Sequence, residues 1–288
     1  MSDIAVESSA LVQVNELLYH YTSVESFVRI IDSGELWASH IRYQNDTSEQ
    51  CLIWDHVLAR IKTRLETARG NERDRLQLFQ SLASSPPELD LYVLCFSKDG
   101  GDRLSQWRGY GGRAGVSIGF DTNELNKRCS AFTTAMSNNQ PFPMGFAALN
   151  QVRYIETAKD ERLNQISDIF IDNPEPTVHE SRFSQKEVFI RRIAISSSSS
   201  KHMAFQEEME WRVVIFDVPE VSVRFRTRGS MMIPYVPFDL GRGQSEWPLI
   251  KRITVGPSPH QAETIVAIKK RIDGRVEVVG SQIPFRDW

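Results

Sequence analysis

Short apolar runs alternate with amphipathic segments along the chain, and this alternation predicts its strands and helices. The predicted strands cover residues 17–21, 36–39, 91–97, 114–120, 151–156, 210–216, 221–226, 231–236, 250–255 and 276–279. The predicted helices cover residues 48–68, 71–84, 157–172, 179–195 and 262–272, together with a short helix that ends at Gly34. The chain therefore begins with strand, helix and strand, and ends with strand, helix and strand.

Two local patterns refine these elements. Thr22 and Glu25 have the spacing of a capping box, which predicts that Thr22 caps the first helix. Residues 196–200 are a run of five serines, which favours a flexible loop between a helix and the strands that follow.

The distribution of the strands predicts the fold class. Strand patterns occur at both ends of the chain, and no linker-like stretch separates two self-sufficient halves. We therefore expect an α+β fold with a mixed or mainly antiparallel β core. Residues 1–15 are expected to be a flexible lead-in and residues 16–288 a single domain, with helical insertions near residues 48–85 and 157–200.

Composition restricts the possible partners. The chain has 288 residues, of which 41% are hydrophobic and 25% are charged, as in a globular protein with a substantial core. A formal net charge of −3 gives no global attraction to nucleic acid or to an anionic membrane, although a local basic patch remains compatible with it. No stretch approaches the roughly 20 apolar residues that span a bilayer, so we expect a soluble, cytoplasmic protein. Three cysteines without CxxC spacing predict neither a disulfide framework nor a zinc site.

The first polar cluster lies where the first strand meets the first helix. His20 can exchange hydrogen bonds with a ribose hydroxyl, and the hydroxyl of Thr22 can assist it. The alternative interpretation is a partly buried histidine beside a helix cap.

The second cluster follows the strand over residues 91–97. Ser97 lies at the end of that strand, and Trp107 and Tyr110 are three residues apart, which predicts a shared stacking surface on one face of a helical turn. Arg103 and Arg108 are suited to binding phosphates. The alternative is a turn whose aromatic rings pack into the core.

The third cluster is the segment from Glu208 to Arg212. If this segment is extended, Glu208, Glu210 and Arg212 point to the face opposite Met209 and Trp211, away from the apolar side. A carboxylate there can stabilise a developing positive charge or polarise a hydroxyl nucleophile. The alternative is an ion pair on a solvated face.

A fourth pattern places three arginines on one strand face. Arg224, Arg226 and Arg228 alternate along the chain, and they form either a solvated face or a surface that reads phosphates.

Several short motifs, taken in order, resemble a bacterial family of domains of unknown function. The motifs are L-Y-H-Y-T-S, L-W-A-S, N-D-x-x-E, C-F-S, W-x-x-Y-G, E-x-E-W-R, V-G-P and S-x-I-P-F-R, and the resemblance runs over residues 17–286. It implies no particular activity.

The opening motif also resembles ADP-ribosyltransferases of the His-Tyr-Glu kind, in which a strand ends in Y-H-x-T. The resemblance implies that His20 and Thr22 hold a ribose of NAD, that Tyr110 stacks on nicotinamide, and that Glu210 or Glu208 is the catalytic carboxylate. It also implies metal-independent ADP-ribosyl transfer to a protein or nucleic-acid acceptor, or hydrolysis of NAD, in toxin or phage-defence biology. The chain departs from that pattern in having no Ser-Thr-Ser strand.

Two other classes of function stay open. One is a non-catalytic nucleotide or nucleic-acid binding module that uses Trp107, Tyr110 and the arginine face. The other is a structural partner-binding domain in which Glu208, Glu210 and Arg212 pair with one another.

Overall fold

The computed structural model describes residues 16–44, 49–84, 89–112, 115–137, 145–156, 162–172, 180, 183–241, 247–272, 274 and 276–284. The expected lead-in, residues 1–15, and most of the N-D-x-x-E segment lie outside this set.

Within the described residues, strands and helices occur from β1 to β12. The strands are β1 (Leu17–Ser23), β2 (Glu35–His40), β3 (Leu91–Ser97), β4 (Gly115–Asp121), β5 (Phe146–Gln151), β6 (Arg153–Ile155), β7 (Ser200–His202), β8 (Glu210–Phe216), β9 (Arg224–Arg228), β10 (Met231–Asp239), β11 (Ile250–Val255) and β12 (Glu277–Gly280). The helices are α1 (Val24–Ser33), α2 (Glu49–Leu65), α3 (Gly70–Ser84), α4 (Leu104–Gln106), α5 (Thr122–Ser137), α6 (Arg162–Asp172), α7 (Gln185–Ser198) and α8 (Gln261–Arg271). A π-helical turn, Trp107–Gly111, continues α4, and a 3₁₀ turn, Met203–Glu208, precedes β8.

The sheet is mainly antiparallel, which confirms the predicted α+β fold. Antiparallel pairs include β1 with β4, β5 with β8, and β9 with β10, whereas β12 runs parallel to β11. No helix in the described ranges has both the length and the apolar character needed to cross a membrane.

The chain divides into two compact units. The first unit consists of Met1–Leu36, Cys95–Ala131 and Phe238–Trp288, and the second consists of Trp37–Leu94 and Phe132–Pro237. The prediction that residues 16–288 form a single domain stays a prediction.

In the first unit, β1 lies between β4 and the end of β3. It pairs with β4 along its whole length, and Tyr19 also faces Ser97 of β3. The side chains of Ile118, Phe120 and Ile253 are fully buried and form the centre of this unit's sheet core. The sheet therefore fixes the direction of every side chain on β1.

The cap of α1 is Ser23, so the prediction that Thr22 caps this helix is wrong. The hydroxyl of Ser23 accepts a hydrogen bond from the backbone N–H of Ser26 at 3.1 Å. Thr22 cannot take this place because it is still paired in β1, opposite Val116 of β4.

In the second unit, the two predicted helical insertions form one apolar core. Helices α2, α3, α6 and α7 bury their apolar faces against each other, and Phe79 of α3 stacks on Phe189 of α7 with ring centroids 4.1 Å apart. Two segments that are distant in sequence therefore build a common helical layer.

The serine run is ordered and buried, so the prediction of a flexible loop is wrong. Ser196, Ser197 and Ser198 form the last turn of α7, and Ser200 opens β7. All five serines are buried, and the hydroxyl of Ser200 donates to the carbonyl of Ser196 at 2.8 Å. The burial of these serines in the fold thus outweighs the preference of a serine-rich sequence for a flexible loop.

Candidate functional site

His20 is held in one tautomer by the backbone of β3. Its Nδ1 lies 2.9 Å from the carbonyl oxygen of Cys95, and because a carbonyl only accepts, Nδ1 carries the proton. Burial lowers the pKa of His20, and the hydrogen bond to Cys95 opposes this shift only in part. The ring is therefore neutral near pH 7, and its Nε2 is an acceptor.

The surroundings of His20 are apolar. Its ring lies 5.9 Å from the ring of Phe96, which in turn contacts Phe120 edge to face. Thr22 shares this face of β1 because successive strand residues alternate, and it is buried. His20 itself remains partly exposed.

The opposite face of β1 carries a hydrogen-bonded loop. The hydroxyl of Tyr21 donates to Asp99 at 2.8 Å and accepts from the backbone N–H of Arg103 at 3.2 Å. Burial, followed by the charge of Asp99, raises the pKa of Tyr21, which therefore stays protonated. The loop after β3 is thus fixed to β1 through Tyr21.

Asp102 fixes the other end of this loop. Its carboxylate accepts from the indole N–H of Trp107 at 2.8 Å, from the hydroxyl of Ser281 at 2.5 Å and from the backbone N–H of Gln282 at 2.9 Å. The Trp107 ring packs edge to face against Tyr21, with centroids 4.8 Å apart. Asp102 therefore connects the segment after β3 with the segment that follows β12.

Trp107 and Tyr110 do not form the shared stacking surface that their spacing predicted. Trp107 is only 2% exposed, because its indole is engaged by Asp102 and Tyr21, whereas Tyr110 is 42% exposed. Ser97 is buried on the face of Tyr19, its cross-strand partner, and so lies on the face opposite His20. Of these three residues, Tyr110 presents its ring to solvent.

The second unit contains a buried cluster of charges. Lys201 lies 2.6 Å from Oε2 of Glu208 and 3.2 Å from Oε2 of Glu210. Arg212 donates from Nε to Oε1 of Glu210 at 2.7 Å and from Nη2 to Oε2 at 3.0 Å. Among the described residues, Lys201 and Arg212 thus meet the carboxylates of Glu208 and Glu210, of which that of Glu210 is buried.

Backbone and hydroxyl groups complete this cluster. Arg212 donates from Nη1 to the carbonyl of Ser198 at 2.8 Å, and the backbone N–H of Glu210 donates to the hydroxyl of Tyr154 at 2.7 Å. The hydroxyls of Ser196, Ser197 and Ser199 are buried without a hydrogen-bond partner among the described residues. The last turn of α7 is therefore polar where it meets Arg212.

The charged face of β8 is buried, so the alternative of an ion pair on a solvated face is wrong. Glu210 and Arg212 are buried, whereas Met209 is exposed. Mutual neutralisation lets these charges occupy the interior. Glu208 does not belong to β8, because Met209 adopts a left-handed conformation with φ 46° and ends the 3₁₀ turn.

The predicted site residues fall into two groups. His20, Thr22, Ser97, Arg103, Trp107 and Tyr110 belong to the first unit, and Glu208 and Glu210 belong to the second. The hydrogen bonds and ring contacts described above are all made within one unit or the other.

Sequence reasoning missed the residues that hold these groups in place. Asp99 and Asp102 flank a Gly-Gly pair after β3, which was the only local signal for a tight polar turn. Lys201 and Tyr154 carried no signal, since their roles depend on contacts made in the folded chain.

Part of the chain matches a known family model. Residues 106–213 match the model of a family described as a protein of unknown function, DUF2971. The DUF2971 segment includes the W-x-x-Y-G and E-x-E-W-R motifs, so the expected likeness to a family of domains of unknown function is confirmed for this segment. The motif containing His20 lies before the DUF2971 segment. No curated protein matches the chain.

Proposed function

We propose that the chain binds NAD and transfers its ADP-ribosyl group to a macromolecular acceptor. The observation that carries this proposal is the fixed neutral tautomer of His20, whose Nε2 can accept a hydrogen bond from a ribose hydroxyl. The resemblance of the Y-H-x-T opening to ADP-ribosyltransferases supplies the identity of the nucleotide. The toxin or phage-defence setting belongs to the same proposal.

The proposed reaction breaks the bond between C1′ of the ribose and the ring nitrogen of nicotinamide. The bonding electrons leave with nicotinamide, positive charge develops on the ribose, and a nucleophile of the acceptor attacks C1′ and loses its proton. A nearby carboxylate stabilises this charge more in the transition state than in the ground state. Tyr110, whose ring is exposed, is suited to stacking on nicotinamide.

The two glutamates differ in how far they can contact a substrate. Arg212 and Lys201 occupy both carboxylate oxygens of Glu210, whose side chain is 7% exposed. The side chain of Glu208 is 18% exposed. We therefore assign the role of catalytic carboxylate to Glu208, and we assign to Glu210 the positioning of Lys201, which also holds Glu208.

The test is turnover of NAD labelled in the adenylate half. Nicotinamide release and label transfer are followed with purified chain, with cell extract added as a source of acceptor. We expect Glu208→Gln to lower the rate about 10²–10³-fold, as expected when one preorganised electrostatic group is removed. The matched control is Glu207→Gln, which removes the neighbouring exposed carboxylate and should retain the full rate.

Glu210→Gln needs a second measurement. This change leaves Lys201 and Arg212 with one carboxylate fewer, so a loss of rate has to be read together with the free energy of unfolding. A folded wild-type chain that releases no nicotinamide with extract present would overturn the proposal. Full turnover by both Glu208→Gln and Glu210→Gln would remove the carboxylates from the mechanism.

A further inference from the structure

The hairpin formed by β9 and β10 is an edge of the sheet. The two strands pair antiparallel from Met231 opposite Arg228 to Tyr235 opposite Arg224. In the strand order of the described residues, β9 has β10 as its neighbour on one side and ends the sheet on the other. An edge strand of this kind offers unpaired backbone groups and both of its side-chain faces to a partner.

One face of β9 is a row of arginines. Arg224, Arg226 and Arg228 follow one another at about 6.7 Å, the repeat of alternate residues on a strand. No aspartate or glutamate occurs in residues 221–238. Residues 221–238 of the hairpin therefore contribute three positive charges and no negative charge of their own, on a chain whose formal net charge is −3.

Among the residues that the structure describes, no carboxylate forms an ion pair with Arg226. Its Nη2 donates to the hydroxyl of Ser39 at 2.8 Å, and its buried Nε has no hydrogen-bond partner among the described residues. Burial lowers the pKa of Arg226, and the positive charge of Arg228 lowers it further. Ser39 thus holds the guanidinium of Arg226 in place, and a bound anion would stabilise the charge of that guanidinium.

The other face of the hairpin exposes apolar side chains. Phe225 is 58% exposed and Met232 is 64% exposed, although both are large and hydrophobic. By strand alternation, these two side chains share one face of the hairpin, opposite the arginines. A partner that follows this edge meets positive charge on one side and an aromatic ring on the other.

We propose that the β9–β10 hairpin is a docking surface for single-stranded nucleic acid. A single strand offers phosphates to Arg224, Arg226 and Arg228, and bases that can stack on Phe225. A second copy of the chain pairing edge to edge would place one arginine row against another, and like charges on facing strands repel. This proposal does not depend on NAD chemistry, since none of its residues takes part in the proposed transfer.

The test is fluorescence anisotropy of the full chain with a labelled oligouridylate and a labelled oligothymidylate, each about 20 nucleotides long. The expected result is binding that weakens as salt rises from about 50 to about 200 mM. In a plot of the logarithm of the binding constant against the logarithm of the salt concentration, the slope should be steeper by roughly 0.7 for each phosphate that the protein contacts. Arg224→Ala/Arg228→Ala should lower the affinity at least about 10-fold and reduce that slope by roughly 1.4. Phe225→Ala should weaken binding about 5- to 100-fold and leave the slope unchanged.

The matched control is Lys269→Ala/Lys270→Ala. It removes the same charge from exposed positions in the last turn of α8 and should change the affinity less than about 2-fold. An equal loss of binding in this control would overturn the proposal, because the oligonucleotide would then be attracted by positive charge anywhere on the surface and not by the hairpin. Absence of oligonucleotide binding by folded chain at low salt would also overturn it, whether or not polyglutamate or anionic vesicles bind.

Discussion

Arg212 holds the carboxylate of Glu210, two residues before it on β8, through two hydrogen bonds. Its Nε lies 2.7 Å from Oε1 and its Nη2 lies 3.0 Å from Oε2, and both side chains are buried. Lys201 places a second cation 3.2 Å from Oε2. A buried charge without its counter-ion is costly, so each member of this group depends on the others.

The first prediction concerns this dependence. Glu210→Gln leaves two buried cations with one carboxylate, and we expect the free energy of unfolding to fall by about 3–5 kcal/mol. Urea denaturation of the variant and the wild type measures this change. The control is Glu25→Gln, which breaks an exposed ion pair with Arg29 and should cost less than about 1 kcal/mol. Equal losses in the two variants would show that the buried group is not coupled.

The pattern of apolar residues predicted the position of β8 in the chain, but it did not predict that the face of Glu210 and Arg212 is buried. The predicted strands at Leu91–Ser97, Glu210–Phe216 and Ile250–Val255 match the structure residue for residue, because each is a run rich in apolar residues. The sequence left the face of Glu210 and Arg212 as either a candidate site or an ion pair on a solvated face, because hydropathy scores each charge singly. Their burial depends on Lys201 and on the carbonyl of Ser198, which only the folded chain brings near.

The sequence of helix α5 contains a weak helical pattern of apolar residues. Its polar composition hides a stripe of buried Leu125, Cys129 and Phe132 at helical spacing. Asp121, just before it, accepts from the backbone N–H groups of Asn123 and Glu124, which is the role of an N-cap side chain. Burial raises the pKa of Cys129 to about 12, so this cysteine belongs to the core and not to a reactive site.

The contacts that fix the loop after β3 had no counterpart in any local pattern. Tyr21 bonds to Asp99 across 78 positions and Ser281 to Asp102 across 179 positions of the chain. Periodicity and capping rules describe neighbours within a few residues, so they cannot anticipate such pairs. The residue types were visible in the sequence, but their partners were not.

The second prediction tests Asp102 as the connection between segments. Asp102→Ala removes the acceptor of the Trp107 indole, the Ser281 hydroxyl and the Gln282 N–H, and we expect a loss of about 2–4 kcal/mol in the free energy of unfolding. Asp32→Ala is the control, since its ion pair with Arg271 is exposed and should contribute less than about 1 kcal/mol. A loss for Asp102→Ala no larger than the control would mean that solvent replaces these bonds.

The third prediction compares two neighbouring glycines. Gly100 and Gly101 both have positive φ, at 84° and 83°, so alanine is strained at either position. A Cβ on Gly101 would also lie 2.3 Å from Cε1 of Tyr19, whereas a Cβ on Gly100 has nothing within 4 Å. We expect Gly100→Ala to cost about 1–2 kcal/mol and Gly101→Ala to cost at least about 1 kcal/mol more. Urea denaturation of both variants measures the difference, and equal costs would contradict the close approach to Tyr19.

The fourth prediction uses the lowered pKa of His20. The unfolded chain titrates this residue near pH 6.5, and the folded chain titrates it at lower pH. Between these two values the unfolded state binds more protons, so the free energy of unfolding falls as pH falls through the window. His20→Gln should lose this part of the pH dependence, which urea denaturation at a series of pH values measures.

The same shift sets the pH range of the proposed NAD binding. Nε2 accepts a hydrogen bond only while the ring is neutral, so the affinity of the wild type for NAD should stay constant from about pH 8 to about pH 6.5. It should weaken only at the lower pH at which the folded chain titrates His20. Calorimetric titration of NAD into the wild type and into His20→Gln measures the two affinities at each pH. Glutamine can accept a hydrogen bond but does not titrate, so the pH dependence that is due to His20 should be absent from the variant. An affinity that already falls between pH 8 and pH 7 in the wild type alone would mean that the pKa of His20 is raised and that the bond to Cys95 outweighs burial.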